Sequence, residues 1–368
     1  MGWSRRQTGL TSYDPARASR GYTLFAPNGG DSAYLIDMEG RIVHRWHCPK
    51  GINHGYLLPN GHLLLRTPRS RDSGGFPGMP ASDAVQELSW EGAVVWEYRN
   101  PALKRFARLP NGNTLLLLWE AMSVEQTRQV QGGYTTPQDP EQMLGDVVVE
   151  ITPAGSVVYD WHAAQHLSPQ EDVICPLESR MAWAGANDLT ALDDGNFLIS
   201  FRVLDTVALV DRRSGGFLWK WGQGQISHQH HPTLLPNGHV LLLDNGAHRR
   251  GLSYSRVIEV DPRASEIVWE YHGDPLTSFF TQFTGGAERL PNGNTLIGEG
   301  YEGRLFEVTP RGEVVWEWIS PFFMQDPQGY ANRIFRAHRY GPDHPALHGR
   351  DLDPARYGNL NRLYAGTR

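Results

Sequence analysis

Histidines and arginines crowd two short segments in the second half of the chain. The first segment reads His228-Gln229-His230-His231, and the second, Asp244-Asn245-Gly246-Ala247-His248-Arg249-Arg250, begins 13 residues after His231. A neutral imidazole can act as a nucleophile, as a general acid or base, or as a metal ligand. Guanidinium groups bind carboxylate, sulfate and phosphate through paired N–H donors. The two segments therefore predict a site that binds an anion and carries out histidine chemistry on it.

A strand pattern that recurs six times defines the elements that must position these residues. Each copy has an apolar pair followed by an aromatic residue in its last position, and these last residues are Trp46, Tyr98, Trp161, Trp221, Tyr271 and Trp318. Successive copies are 52, 63, 60, 50 and 47 residues apart, which is the spacing of propeller blades. The period of two inside each copy indicates a strand. The repeat predicts an all-β fold, a six-bladed β-propeller of four-stranded blades in which each copy is the fourth strand.

A second motif, Leu-Pro-Asn-Gly or a close variant, predicts the first two strands of five blades. Pro followed by Asn-Gly favours a tight hairpin turn, and the hairpins lie in residues 57–65, 108–118, 191–200, 234–243 and 289–297. The sixth blade is split, because residues 21–27 resemble a second strand and residues 333–340 resemble a first strand. We therefore expect the C-terminal strand to pair with the N-terminal blade and close the ring.

This reading assigns residues 1–368 to one propeller domain, with a blade core over about 20–345 and tails at 1–19 and 346–368. The first strand of each blade lines the central tunnel of a propeller, so the start of that strand marks the tunnel mouth. Counting four residues back from the leucine of each hairpin gives His54, Arg105, Asp188, His231, Gly286 and, in the split blade, Arg336. Because His54 and His231 lie three blades apart, we expect them to face each other across the axis.

The predicted site takes its residues from these strand starts and from the loops beside them. We predict catalytic roles for His231, His54 and Arg249, with Asp244 or Asn245 orienting the His231 ring. We predict substrate-binding roles for Arg105, Asn187, Asp188, Arg336, His248, Asn245 and Arg66. The long loop 162–187, which contains Arg180 and Asn187, is the second place to search for the site.

Composition narrows the range of partners. The net charge is −6 and no Lys/Arg-rich stripe occurs, which argues against a nucleic-acid partner. No apolar run approaches the roughly 18 residues that a membrane span requires. The two cysteines, Cys48 and Cys175, do not make a disulfide framework and are read as reduced thiols. We expect a cytoplasmic protein whose partner is a small anionic or aromatic substrate, with neither nucleic acid nor membrane involved.

The LPNGN hairpin, the G-x-VVWEW strand and the DNG segment followed by arginine resemble the bacterial arylsulfotransferase family over roughly residues 20–345. The resemblance implies a six-bladed propeller that moves a sulfuryl group between phenols through a sulfohistidine, without a cofactor. By motif, His231 and Arg249 match the family's funnel histidine and the arginine that follows its DNG segment. The chain departs from the family in having Gly286 where a further funnel histidine is expected, and in lacking the disulfide of typical members.

Two other functions stay open on the sequence alone. A lyase or hydrolase that acts on an anionic sugar or aryl acid would hold a divalent metal through His54, His231 and His248. A non-catalytic binding propeller would have an inert funnel.

Overall fold

The computed structural model describes residues 7–69, 82–326 and 329–364, in which most of the regular structure is β-strand. The strands are β1 (Gly9–Tyr13), β2 (Tyr22–Pro27), β3 (Ser32–Ile36), β4 (Ile42–His47), β5 (His54–Leu57), β6 (Leu63–Pro68), β7 (Ser82–Leu88), β8 (Val94–Arg108), β9 (Thr114–Ala121), β10 (Gly132–Tyr134), β11 (Leu144–Ile151), β12 (Val157–His162), β13 (Ile174–Ser179), β14 (Ala186–Ala191), β15 (Phe197–Phe201), β16 (Thr206–Val210), β17 (Phe217–Trp221), β18 (His230–Leu234), β19 (Val240–Asp244), β20 (Arg256–Asp261), β21 (Glu266–His272), β22 (Gly286–Arg289), β23 (Thr295–Glu299), β24 (Arg304–Val308), β25 (Val314–Ile319), β26 (Met324–Asp326), β27 (Gly329–Ala331) and β28 (Ile334–Tyr340). The helices are α1 (Val124–Gln129) and α2 (Gly358–Tyr364), with short 3-10 helices at Ala163–Gln165, Arg202–Leu204, Leu276–Ser278, Gly300–Glu302, Pro345–Leu347 and Pro354–Tyr357.

The Leu-Pro-Asn-Gly segments form the tight turns that their sequence predicts. In the turn between β8 and β9, Leu109 N–H donates to Asn113 O at 2.8 Å and Gly112 N–H donates to Leu109 O at 3.0 Å. Gly112 has a φ of +86°, a left-handed conformation that a side chain would disfavour. The hairpin prediction is confirmed here and in the matching turn of Leu235.

The tryptophans of the repeated strands donate hydrogen bonds to the backbone of neighbouring turns. Trp161 Nε1 donates to Gly215 O at 2.8 Å, and Trp316 Nε1 donates to Met38 O at 2.8 Å. Trp46 makes the same kind of bond to Ser89 O at 3.2 Å. Each indole buries a large apolar surface and ties its strand to the turn beside another repeat, which accounts for the recurrence of tryptophan in the motif.

The described chain comprises two compact units. The first contains residues 7–69, 83–99, 281–326 and 329–364. One of its sheets has the strand order β28-β2-β3-β4, and another has the order β1-β25-β24-β23-β22. Strands β5 to β8 follow one another in a third sheet, and β26 pairs with β27. The antiparallel pairing of β2 with β28 joins Tyr22 to Tyr340 and Thr23 to Arg339, so the chain's first long strand and its last lie side by side.

The second unit contains Ser82 and residues 100–280. The last part of β8 pairs with β9, which is followed by β11 and β12. The next two sheets have the orders β14-β15-β16-β17 and β18-β19-β20-β21, each an antiparallel meander in sequence order. Apart from the short parallel pair of β10 and β13, the sheets of both units are antiparallel, with mostly apolar, buried inner strands. The arrangement is all-β and β-propeller-like.

Some elements lie outside the repeat and were not predicted. β1 adds a strand to β25, inside the segment that the sequence assigned to a tail. β10 and β13 form a parallel pair within the long stretch between β9 and β14. In the other predicted tail, Tyr357, Leu360 and Tyr364 pack against buried residues of the first unit. No helix within the described ranges is both long enough and apolar enough to cross a membrane.

Removal of residues 333–368 should abolish cooperative unfolding. The deletion strips β28 from β2 and leaves that edge of a buried strand without its hydrogen-bond partner. Size-exclusion chromatography should show aggregation, and thermal denaturation followed by circular dichroism should lose its sharp transition. Leu363→Ser, at a side chain that is 70% exposed, is the control that should leave both unchanged. A monomeric truncated chain with the melting curve of the full chain would contradict the structural role of β28.

Candidate functional site

Four strands on which the sequence placed tunnel-mouth residues carry β-bulges close to those residues. In β8, Leu103 and Arg105 pair with the adjacent residues Leu118 and Leu117 of β9, so Lys104 is an extra residue with no partner position on β9. The same irregularity leaves Asn187 extra in β14 and adds one residue within His231–Pro232 of β18. In the first unit, β28 has its extra residue between Ile334 and Ala337. Bulges re-aim side chains and are common beside active sites, so the backbone is irregular where chemistry was predicted.

His231 has a left-handed backbone, with a φ of +55°, and strand β14 holds it there. Asp188 Oδ2 accepts a hydrogen bond from His231 N–H at 2.9 Å. On either side of His231, Asn187 Nδ2 donates to Gln229 O and Thr190 Oγ1 donates to Pro232 O, both at 2.8 Å. We call Asn187, Asp188 and Thr190 the β14 clasp. A non-glycine residue in this conformation costs about 1–3 kcal/mol, and the clasp supplies the contacts that offset it.

A buried ion pair supports the start of β14 in turn. Asp146, which is fully buried on β11, contacts Lys104 Nζ in the β8 bulge and accepts the Ala186 N–H bond at 2.8 Å. Burial lowers the pKa of Lys104 to about 8 and raises the pKa of Asp146. Arg105, the next residue along β8, donates from Nη1 to Lys104 O at 2.7 Å. One carboxylate thus links the bulge in β8 to the residue that precedes Asn187.

His230 and His231 are neighbours in sequence but have different surroundings. His230 Nδ1 lies 2.8 Å from Asn245 Oδ1, and burial lowers the pKa of His230 to about 3, so its imidazole is neutral. The sequence assigned Asn245 or Asp244 to the His231 ring, and that role stays a prediction. The side-chain oxygen of Asn245 contacts His230 Nδ1. Asp244 is committed to arginines and to the backbone.

The loop after β19 is bound to the loop before β18 through Ser227. Asp244 Oδ1 accepts the Ser227 N–H bond at 2.9 Å, Gly246 N–H donates to Ser227 O at 2.8 Å, and His248 N–H donates to Ser227 Oγ at 3.2 Å. Gly246 has a φ of +71°, and a Cβ there would lie 2.0 Å from Tyr254 O, so this turn requires glycine. The DNG segment is therefore a fixed turn that projects His248 and Arg249.

Arg249 is an ion-paired side chain, 16% exposed, with its guanidinium 4.4 Å from the ring centre of Tyr254. Its Nη2 lies 2.6 Å from Asp244 Oδ2, and Arg256 Nε binds the same oxygen at 2.8 Å. Arg256 Nη1 also pairs with Glu270 Oε2 at 2.8 Å, so two carboxylates balance the two arginines at this turn.

A cluster that sequence analysis did not predict surrounds His228, which also has a left-handed backbone with a φ of +59°. Asp205 Oδ1 lies 2.7 Å from His228 N and 2.8 Å from His228 Nδ1. On the other side of the ring, Nε2 lies 2.6 Å from His248 Nδ1 and 3.0 Å from Glu178 Oε1. Cys175 Sγ lies 3.5 Å from His248 Nδ1. Burial opposes the charged imidazole, but hydrogen bonds to Asp205, Cys175 and Glu178 outweigh it and raise the pKa of His228 to about 10.

His54, Arg66 and Arg336 come together in the first unit, around the ring of Phe335. The guanidinium carbons of Arg66 and Arg336 lie 4.9 and 5.3 Å from the centre of that ring, and the imidazole centre of His54 lies 5.4 Å from it. His54 is opposite Arg66 in the register of β5 and β6.

A second histidine, His338, contacts the imidazole of His54. His54 Nε2 is 3.1 Å from His338 Nε2, and His338 Nδ1 is 3.5 Å from Glu288 Oε2. A carboxylate, an imidazole and a second imidazole in series form a chain along which a proton can be held or passed. Sequence reasoning missed Glu288 and His338, although both lie on first strands of the repeat.

The structure thus distributes the predicted residues over four places, which are the β14 clasp, the DNG turn, the His228 cluster and the first unit. His231, Asn187 and Asp188 meet at the β14 clasp, and the charges of Asp188 and Arg105 both act on the neighbouring His230. Arg249 and Asn245 lie in the DNG turn beside it. Of the three residues predicted to hold a metal, His248 lies in the His228 cluster, His231 lies at the clasp and His54 lies in the first unit. The catalytic roles stay predictions.

Comparison with known proteins gives one family match and several fold matches. A family model described as Arylsulfotransferase (ASST) matches residues 110–321, which is more than half of the chain. A protein of unknown function from Bacteroides caccae is similar at 16% identity with a TM-score of 0.55, over 87% of this chain and 99% of its own. A Kuenenia stuttgartiensis hydrazine synthase is similar at 10% identity and a TM-score of 0.49, over 85% and 90% of the two chains. A streptogramin B lyase is similar at 12% identity and a TM-score of 0.47, over 91% and 93%. No curated protein matches.

Asp188→Ala should lower the free energy of unfolding by about 1–3 kcal/mol, because it leaves the buried N–H of His231 without its acceptor. Urea denaturation measures the change. Asp193→Ala, which removes an exposed aspartate from the hairpin of the same sheet, is the matched control and should leave the midpoint unchanged. Equal midpoints for both variants would show that the clasp does not hold His231.

Proposed function

The chain belongs to the arylsulfotransferase (ASST) family, and from that premise we propose that it is an arylsulfotransferase-like enzyme in which His231 is the nucleophile. The observation that carries the proposal is the left-handed backbone of His231, held by the β14 clasp inside the segment that the family model matches. A nucleophile that must approach sulfur along one line benefits from a fixed backbone position.

In the proposed reaction the sulfuryl group passes through two transfers. An imidazole nitrogen of neutral His231 attacks the sulfur of an aryl sulfate, so that an N–S bond forms while the S–O bond to the aryl group breaks and a phenolate leaves. The oxygen of an acceptor phenol, as it loses its proton, then attacks the same sulfur, and the N–S bond breaks. The two transfers need no redox step, and the proton of the acceptor ends on the released phenol.

Arg249 and the residues near it would bind the sulfate group. Arg249 shares Asp244 with Arg256, which also pairs with Glu270, and the contact with Asp244 fixes the direction of the Arg249 guanidinium. Donors fixed before the substrate arrives stabilise developing negative charge without reorganisation. Arg105 is the further cation for which we propose a substrate contact, because its charge acts on His230, the residue next to the nucleophile.

His54 is the proposed acid–base residue, and Glu288 and His338 are the residues that position it. The contact between His54 Nε2 and His338 Nε2 requires one of the two nitrogens to carry a proton, and Glu288 favours a proton on the other nitrogen of His338. Arg66 and Arg336 beside His54 add positive charge suited to an anionic substrate.

We also propose that the chain is one domain of six four-stranded blades closed into a ring. Six copies of the fourth-strand motif and the pairing of β28 with β2 support this count.

His231→Ala should abolish aryl sulfotransfer, with a loss of at least about a thousandfold in rate. The assay follows release of 4-nitrophenol from 4-nitrophenyl sulfate in the presence of phenol. His239→Ala, at a hairpin histidine that contacts Glu259, is the matched control and should retain the wild-type rate. Near wild-type turnover by the His231 variant would place the nucleophile elsewhere, whereas no turnover by the wild-type chain with any aryl sulfate would remove the proposed reaction.

Arg249→Ala should weaken binding of 4-nitrophenyl sulfate by about thirtyfold, equivalent to about 2 kcal/mol. Calorimetry with Arg249→Ala in a His231→Ala background measures binding without turnover. Arg263→Ala, which removes an exposed arginine between β20 and β21, controls for the loss of one positive charge. Equal losses in the two variants would show that net charge, and not the Arg249 guanidinium, binds the sulfate.

A further inference from the structure

Cys175, His228 and His248 bring one ligand atom each to a common point in the second unit. The thiol sulfur, His228 Nε2 and His248 Nδ1 lie within 4.8 Å of one another. The three residues come from β13, from the segment before β18 and from the loop after β19. A fourth atom, Glu178 Oε1, lies 3.0 Å from His228 Nε2 and 3.8 Å from His248 Nδ1.

The three clustered atoms, with Glu178 Oε1 beside the two histidines, are suited to a tetrahedral ligand set. Bonds of about 2.0–2.3 Å to nitrogen, oxygen and sulfur place the ligand atoms of tetrahedral zinc about 3.3–3.7 Å apart. The separations of 3.0, 3.5 and 3.8 Å are close to that range, the 2.6 Å between His228 Nε2 and His248 Nδ1 must widen, and Cys175 Sγ lies within 4.8 Å of His228 Nε2. One thiolate and two imidazoles are soft and borderline donors, and such donors bind zinc in preference to magnesium or calcium.

The residues around the four atoms are those of a built metal site. Asp205 Oδ1 lies 2.8 Å from Nδ1 of His228, so it accepts that N–H bond and leaves Nε2 as the ligand atom. The His228 side chain is fully buried, and those of His248 and Glu178 are 23% and 20% exposed, which leaves a path for the ion from solvent. Arg202 Nη1 pairs with Glu178 Oε1 at 2.9 Å and holds that carboxylate beside the two histidines.

We propose that Cys175, His228, His248 and Glu178 form a zinc site. Zn²⁺ bound by a thiolate, a carboxylate and two neutral imidazoles is electroneutral, and binding displaces the thiol proton of Cys175 together with any proton on His228. The ion joins three segments that protein hydrogen bonds otherwise hold pairwise. Two of them lead directly to His231 and Arg249, so the site fixes the backbone from which those side chains project. The inference does not depend on the sulfuryl-transfer reaction.

Metal analysis of tag-free protein from zinc-supplemented culture tests the proposal. We expect one zinc per chain in the wild type, and a drop to near zero in Cys175→Ala and His248→Ala. Cys48→Ala and His239→Ala are the matched controls, since they remove the other cysteine and a histidine outside the cluster, and both should keep the ion. Equal zinc in all five proteins would overturn the proposal as adventitious binding.

Cobalt substitution tests the same site without a variant that must fold. Apo protein titrated with Co²⁺ should develop the intense visible bands of a tetrahedral ion and a thiolate charge-transfer band, and Zn²⁺ should displace both. Zn²⁺ added to apo protein should raise the melting temperature, whereas Mg²⁺ and Ca²⁺ should not. A wild-type chain that contains no zinc and shows no thiolate band with Co²⁺ would overturn the proposal.

Discussion

A carboxylate that accepts a backbone N–H bond from another element is the interaction on which the site depends. The buried Asp188 accepts from His231, the buried Asp146 accepts from Ala186, and the partly buried Asp205 accepts from His228. A charged acceptor in a low-dielectric interior makes a strong bond and is costly to leave unsatisfied. Each carboxylate therefore fixes the chain at one point near the start of a strand, where hydrophobic packing alone would leave the backbone less defined.

Much of the strand framework could be predicted because its signals are local. Alternating apolar residues, the Pro-Asn-Gly turn and the repeated tryptophans each specify a few adjacent residues, and the repeat gives their order. The bulges could not be predicted in this way. The extra residues Lys104 and Asn187 are held by bonds from their own side chains to Asp146 and to Gln229 O, and those partners lie 42 residues away in both cases.

The predicted positions of site residues were more reliable than their predicted partners. Counting back from each hairpin placed Asp188 and His231 near the starts of β14 and β18, and Arg105 in the part of β8 that pairs with β9, since the hairpin sets the register. Side-chain partners depend on contacts across loops that no repeat specifies. Cys175 and Glu178 lie in the stretch between β12 and β14, which has no counterpart in other repeats, so nothing in the sequence linked them to His228.

The segment from His228 to His231 is rigid because its two ends are held in different places. His228 lies in its own cluster, and His231 lies at the β14 clasp. Both end residues have left-handed backbones, a strain of about 1–3 kcal/mol each that persists only where surrounding contacts impose it. Between them, the fully buried Gln229 donates to Ser200 Oγ at 2.9 Å and to Thr206 O at 2.9 Å. A shift of His228 toward its cluster cannot be absorbed by rotation of Gln229, because those bonds would break. The position of His231 is therefore coupled to that of His228 through a short, fully constrained backbone, and any ligand that orders one histidine also orders the other.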